Sequence, residues 1–216
     1  MSQAIRLKIA KKVSELLVEG NVVNLGIGIP TLIPDCIGDK NVYLQSENGI
    51  LGMGATPADE ETDMDLISAN KQPVSLNKGA SIFDSADSFS MIRGGHIDLA
   101  VLGALQVDET GEIANWAIPG KAILGVGGAM DLVMGAQKII IATTHLTKDG
   151  NPKIVNKLTY PSSGKRKVDM IVTEHALFKF ISSKMYLMEV LSDISFEELK
   201  QITPASYEIS SSFIAS

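Results

Sequence analysis

Two short stretches, Ile97–Leu102 and Lys138–Thr143, are almost unbroken runs of apolar residues. A half-exposed strand alternates apolar and polar side chains. A strand that is apolar at successive positions buries both faces, the pattern of parallel sheets covered by helices. Val22–Leu25 and Val42–Gln45 are shorter runs of the same kind, and Asp169–Thr173 and Met185–Val190 read as further strands. Ala4–Glu19 places Ile5, Ile9, Val13, Leu16 and Leu17 at helical spacing, with Arg6, Lys8, Lys11 and Lys12 mostly off that stripe and Gly20 as a stop. Asp84–Ile92 reads as a helix ending at Gly94-Gly95, and Ser195-Phe196-Glu197-Glu198 as a capping box that opens a last short helix. Gln106–Val107 and Ile113–Trp116 flank a hairpin-like connection. Strands alternating with helices, without repeats or a low-complexity linker, predict an α/β chain. The expected architecture is one domain over residues 1–216, an open, mostly parallel sheet flanked by helices. Asp149–Lys167, rich in Lys, Ser, Pro and Gly, is expected to be an exposed excursion.

The charge balance narrows the partners. With 216 residues, 45% of them hydrophobic, the chain can bury a substantial core, and its formal net charge of -6 argues against a nucleic-acid partner. The longest apolar stretch, Ala122–Ala136, is interrupted by glycines and Asp131, so no membrane span is expected. Arg6, Lys8, Lys11 and Lys12 break any signal-peptide core. Cys36 is the single cysteine, which excludes intrachain disulfides and fits a reducing cytoplasm.

Three loops can carry chemistry. Gly26-Ile27-Gly28-Ile29-Pro30 follows a strand and leads into a proline-started helical turn. It departs from the dinucleotide fingerprint, because its third glycine is absent. It serves either as a ligand-approaching loop or as a plain tight turn. Ser46-Glu47-Asn48-Gly49 ends a short strand, where open α/β sheets collect ligands, and Gly52 and Gly54 follow. Glu47 there is a candidate base, metal ligand or covalent nucleophile, set against the plain alternative of an Asn-Gly turn with a solvated glutamate. Gly125-Val126-Gly127-Gly128-Ala129-Met130-Asp131 exposes successive amides before a helix, either an oxyanion hole or phosphate nest or a flexible loop.

The remaining candidates are weaker in their spacing. His96, His145 and His175 lack the short separations of a metal-ligand pair, and no Gly-x-Ser-x-Gly elbow is present. Cys36 is expected as a small core thiol, and Trp116 in the core or at an interface.

Together these motifs resemble the second (beta) subunit of the bacterial 3-oxoacid CoA-transferases, family I of the CoA transferases. The likeness is carried by Asn24-Leu25-Gly26-Ile27-Gly28-Ile29-Pro30-Thr31 and by Gln45-Ser46-Glu47-Asn48-Gly49. It continues through Asp84–Phe89, Met91–His96, Ala114-Asn115-Trp116, Ile118-Pro119-Gly120-Lys121 and Gly127–Leu132, in the family's order and over nearly the whole chain. The resemblance implies the CoA-transferase (NagB/RpiA-like) fold, with Glu47 as covalent nucleophile. It implies the Gly128 and Ala129 amides as oxyanion donors, and Gly26, Gly28, Asn48, Gly49 and Gly127 as further contacts to substrate or coenzyme A. It also implies coenzyme A as a substrate with no permanently bound cofactor. The partner it implies is a companion alpha subunit, in a heterotetramer of two alpha and two beta chains. Its contribution to the CoA site fits an acidic chain with one dense basic cluster, Lys165-Arg166-Lys167.

The implied reaction moves CoA between an acyl-CoA and a short-chain 3-oxo acid through an anhydride and a glutamyl-CoA thioester, with ping-pong kinetics. Two other readings compete with it. One is a sugar-phosphate isomerase-like enzyme with Glu47 as general base. The other is a non-catalytic module that senses a phosphorylated ligand.

Overall fold

The computed structural model describes residues 2–121 and 127–215. The element order begins with helix α1 (Gln3–Leu16) and strands β1 (Val22–Leu25), β2 (Tyr43–Ser46), β3 (Ile50–Met53) and β4 (Leu76–Ile82). Helix α2 (Ser85–Arg93), strands β5 (Leu99–Leu102), β6 (Gln106–Asp108) and β7 (Ile113–Ala114), and helix α3 (Ala129–Gly135) follow. Strands β8 (Lys138–Ala142), β9 (Ile154–Val155), β10 (Met170–Val172), β11 (Ala176–Ile181) and β12 (Lys184–Val190) lead to helix α4 (Phe196–Ile202) and strand β13 (Glu208–Ala215). Ten strands form one sheet in the order β13-β12-β11-β10-β8-β5-β1-β2-β3-β4, and β7-β6-β9 form a small second sheet.

The apolar runs explain the centre of the large sheet. Leu99 and Val101 of β5 join Ile140 and Ala142 of β8 in the core beneath α1, which contributes Ile9, Ala10 and Val13. Ala100 and Leu102 point the other way, with Ile139 and Ile141, into a second core under α2, α3 and α4. Successive side chains alternate between faces, and both faces are covered.

The expectation of a mostly parallel sheet holds for that centre, where β10, β8, β5, β1 and β2 run parallel. The flanks are mixed, because β2–β3–β4 and β10–β11–β12 are joined antiparallel. The β11–β12 connection is the two-residue turn Ser182-Ser183, with φ of 49° and 63°. Two left-handed residues match the twist of a hairpin, but Ser-Ser lacks the Asn-Gly signature by which such a turn is read from sequence.

Two segments differ from expectation. Helix α1 stops at Leu16, ahead of Gly20, because Leu17 is extended and the Lys40 ammonium donates to the carbonyls of Ser14, Glu15 and Leu17 at 2.8, 3.0 and 3.3 Å. That side chain satisfies the helix-end acceptors. The 149–167 segment is not simply an exposed excursion. It contains β9, pairs with β6, and buries Ile154 and Ser163 fully. The hairpin expected around Asp108–Glu112 forms as β6–β7, and Asp108 Oδ1 accepts the amides of Thr110 and Glu112.

Candidate active site

The carboxyl ends of β1, β2 and β5 converge on a cleft of ≈ 920 Å³. Its floor is fixed from below by a buried polar chain. Asn24 of β1 donates to Gln45 Oε1 of β2, and Gln45 donates to Ser88 Oγ of α2 at 2.6 Å. All three side chains are fully buried, so each needs the others as partners. The next residues along those two strands are the ones that face the cleft.

Gly26 follows β1 and lines the cleft; a β-carbon there would lie 3.1 Å from both the Val101 carbonyl and the Leu102 side chain. The chain must pass this close to β5 to donate its Gly26 amide to Val101. Glu47 sits at the tip of the β2–β3 hairpin, on the three-residue turn Glu47-Asn48-Gly49, and lines the same cleft. The plain Asn-Gly-turn reading is therefore correct as geometry, and the turn also delivers the carboxylate. The glycine is needed because Gly49 has φ 122° and packs on the Phe83 carbonyl.

Gly128, just ahead of α3, lies over the carboxylate. A β-carbon on Gly128 would lie 2.7 Å from Glu47 Cδ and 2.9 Å from Oε1, a space only glycine leaves open. Burial pushes the Glu47 carboxyl above the ordinary glutamate range; the Gly128 amide, donating to it, opposes that rise, and the charge of Asp131 adds to it. Asp131 is held at 2.8 Å by Arg93 Nε, tying α3 to α2. Gly127 and Ala129 line the cleft as well, whereas Gly125 lies outside the described residues.

Gly28, Asn48 and Gly49 are not among the described lining residues. Gly28 adopts φ 102° and gives its carbonyl to Thr31 Oγ1. Asn48 turns its amide away to the Ile67 carbonyl, at 2.7 Å. Sequence reasoning missed the lining contributed by Ser68, Ala69, Asn70, Gln72 and Pro73. That turn is stitched to the β2–β3 hairpin on both sides of Glu47, through Ser46 Oγ, which accepts the Ala69 amide at 2.9 Å, and through Asn48. Its only sequence signal was the polar run Ser68–Gln72.

The other singled-out residues lie elsewhere. His145 is fully buried with its ring nitrogens at 3.0 Å from Thr173 Oγ1 and 2.9 Å from Thr203 Oγ1. Cys36 is half-buried, its thiol on the Leu32 carbonyl, and Trp116 is half-buried with its indole on the Ser162 carbonyl. In the basic cluster, Arg166 donates to the Gln137 carbonyl and Lys167 to Thr110 Oγ1. Among the described residues no helix is long and apolar enough to cross a membrane.

A half-buried carboxylate at the end of a parallel strand, under a backbone amide and facing a large cleft, can act as a nucleophile or as a base. Comparison with known proteins gives the family. The model of the family described as coenzyme A transferase matches residues 6–201. One subunit of a succinyl-CoA:3-ketoacid coenzyme A transferase of Helicobacter pylori is 46% identical over 204 residues, 94% of this chain and 99% of the relative. One subunit of a 3-oxoadipate CoA-transferase of Pseudomonas putida is 47% identical over 199 residues, 92% of this chain and 93% of the relative. In fold, the chain superposes with a TM-score of 0.75 and 20% identity on an acyl-CoA transferase of Escherichia coli O157:H7 solved as a thioester complex with CoA, covering 98% of this chain and 43% of that one. A match this long, joined to a glutamate set beneath a glycine amide, makes the chain a member of the coenzyme A transferase family.

Proposed function

We propose that this chain, working as one domain over residues 1–216, is the nucleophile-bearing beta subunit of a two-subunit CoA transferase acting on short-chain 3-oxo acids. The observation that carries the reading is the Glu47 carboxylate held under the Gly128 amide in the cleft. One carboxylate oxygen attacks the acyl-CoA carbonyl, the CoA thiolate leaves, and a mixed acyl–glutamyl anhydride forms. The thiolate then attacks the glutamyl carbonyl, releasing the first acid as its carboxylate and leaving a glutamyl-CoA thioester. The second acid runs the two steps in reverse.

Each tetrahedral intermediate places negative charge on an oxygen. The Gly128 amide, with that of Ala129 beside it, is the donor in this reading, and losing one such donor costs about 3 kcal/mol of transition-state stabilisation. Weak solvation of a half-buried carboxylate raises its reactivity, and no histidine is needed because a carboxylate attacks without losing a proton. Glu47 as general base, the isomerase alternative, leaves the coenzyme A transferase relatives unexplained, and so does a sensing module.

Both relatives are named as single subunits of their transferases. That supports a companion alpha chain, a heterotetramer of two alpha and two beta chains, and coenzyme A as substrate rather than resident cofactor. An acidic chain whose cleft, among the described residues, is lined by the carboxylates of Asp35 and Glu47 calls for the partner to supply charge for the CoA phosphates. A reducing cytoplasmic setting fits the single half-buried thiol. The test is intact-protein mass spectrometry of the chain with its companion subunit and acetoacetyl-CoA. The expected result is a CoA-sized adduct on Glu47 that hydroxylamine removes and Glu47→Gln abolishes. No adduct with the companion bound would end the reading.

A further inference from the structure

Helix α2 contributes no residue to the described cleft lining, yet it holds both halves of the Glu47–Gly128 contact. Ahead of its first turn, the Phe83 amide donates to the Gly49 carbonyl at 2.9 Å, just past Glu47. In its middle, fully buried Ser88 accepts from Gln45 at 2.6 Å, just before Glu47. At its far end, Arg93 Nε donates at 2.8 Å to Oδ1 of Asp131, which stands in the first turn of α3, just past Gly128. The two helices also meet through their backbones. A β-carbon on Gly135 of α3 would lie 2.1 Å from the Ile92 carbonyl oxygen and 3.3 Å from Arg93 Cα. Within this set Arg93–Asp131 is the charged tie, and the Arg93 guanidinium also lies 5.5 Å from the Phe89 ring centroid.

The pair also places charge. Burial is the main reason the Glu47 carboxyl stands above the ordinary range, and the negative charge of Asp131 adds to it. Like charges disfavour each other's ionised forms, and an opposite charge paired to one of them offsets part of that penalty. The other charged groups on the elements around Glu47, among the described residues, are Asp35, exposed Lys71 in the 68–72 turn, and exposed Asp84 and Asp87 at the start of α2. Asp35 is bonded to the Thr56 amide and hydroxyl, and Asp84 caps α2. Asp131, rather than any of these, is the charge that acts on the glutamate.

We propose that Arg93 and Asp131 are positioning residues for the Glu47 chemistry, their ion pair fixing the Gly128 amide over the nucleophile and setting how much negative charge the nucleophile meets. Neither residue lines the cleft, and both act through the start of α3. The Asp131 charge makes the Glu47 anion less stable, and a nucleophile that ionises less readily is the stronger one once ionised. Arg93 limits that penalty, so that the anion still forms. The inference rests on the transferase reading, because that reading assigns Glu47 the attack.

The experiment uses the chain assembled with its companion subunit and acetoacetyl-CoA. The rate of Glu47–CoA adduct formation is followed by mass spectrometry across pH, with thermal melts alongside. Asp131→Asn keeps an acceptor for Arg93 and removes the charge, so the acid limb of its profile should move to lower pH. Arg93→Gln leaves Asp131 uncompensated. Its limb should move to higher pH, and its plateau rate should fall about threefold, the scale of one partly exposed ion pair. Arg93→Lys restores the charge and should keep the limb near that of wild type. In the double variant the limb should match that of Asp131→Asn, since the arginine acts through the aspartate. A merely structural role would lower the melting temperature and the rate without moving the two limbs in opposite directions. If Arg93→Gln does not assemble, Asp131→Asn carries the test by itself. Limbs that stay in place, or that move the same way, overturn the inference while the wild-type adduct leaves the transferase reading standing. Absence of the adduct from wild type would instead remove that reading, and the inference with it.

Discussion

Gly128 lies so close above the carboxylate of Glu47 that a β-carbon there would be 2.7 Å from Cδ. The two residues come from a hairpin tip and a helix start on neighbouring parts of the same sheet end, and the contact exists only because one of them has no side chain. Gly128→Ala should therefore displace the glutamate from its amide donor. The obstructing atoms belong to a side chain that can swing away, so the fold should survive. With the Gly128 amide as the proposed oxyanion donor, turnover by the assembled enzyme should drop by about 10²-fold or more. Steady-state kinetics beside a thermal melt would separate the two effects; a melt lowered as much as activity would contradict the assignment.

Glu47 itself should show a split between chemistry and stability. Its carboxyl is raised because burial penalises the charged form, so at neutral pH the folded chain bears a cost that the unfolded chain does not. Glu47→Gln removes that charge and can still accept from Gly128. The variant should form no CoA adduct, yet melt at or above the wild-type temperature. In wild type, the acid limb of the rate profile should fall through a pKa above the ordinary glutamate value, because the proposed attack by Glu47 requires its ionised form.

The turn that walls the cleft should loosen when its tethers are cut. Ser46→Ala removes the acceptor for the Ala69 amide, and Asn48→Ala removes the donor to the Ile67 carbonyl. Each loss should cost about 1 kcal/mol of local stability. Hydrogen exchange at the Ala69 amide should quicken in Ser46→Ala, with the acid KM rising more than the acyl-CoA KM. Unchanged exchange would show that the tether carries no weight.

Acid sensitivity should come from His145. Burial, with a smaller push from His175, lowers its pKa to about 3 from 6.5. Between those values the unfolded chain takes up a proton that the folded chain refuses. Stability is thus full above pH 6.5 and is lost as pH falls toward 3, by at most about 1.4 kcal/mol per pH unit from this residue. Urea unfolding at about pH 7 and about pH 5, either side of the unfolded value, should show a smaller drop for His145→Asn than for wild type, even though the variant starts less stable.

Much of this was legible before folding. The core strands declared themselves because burial on both faces leaves no polar position, and Leu99 to Leu102 accordingly divide between the two cores. Ser195 and Glu198 form the reciprocal capping box that their spacing foretold. The β11–β12 hairpin escaped notice because its turn is made by two serines forced to positive φ, a conformation imposed by the strands rather than preferred by the residues. Likewise, Ile154 and Ser163 are buried in a segment whose composition reads as surface, since pairing of β9 with β6 draws it in.

The division is sharpest at the site. Local sequence determined the presence of a glutamate at a strand end, the glycines that turn around it, and a glycine-led helix start, because turn chemistry and strand burial act over a few residues. Which group meets which was decided by the sheet order. Placing β1 between β2 and β5 brings Gly26 and Glu47 to one end, and the α3 start then falls over the carboxylate. The placing of the turn at 68–72 and the clamping of Asn115 depended on tertiary hydrogen bonds to Ser46, Asn48 and Ser163, whereas Asn70 is held within its own turn by Ser68 and Gln72. No short-range pattern encodes the tertiary bonds, because their partners lie 19 to 48 residues apart and the sequence says nothing of which distant group will arrive.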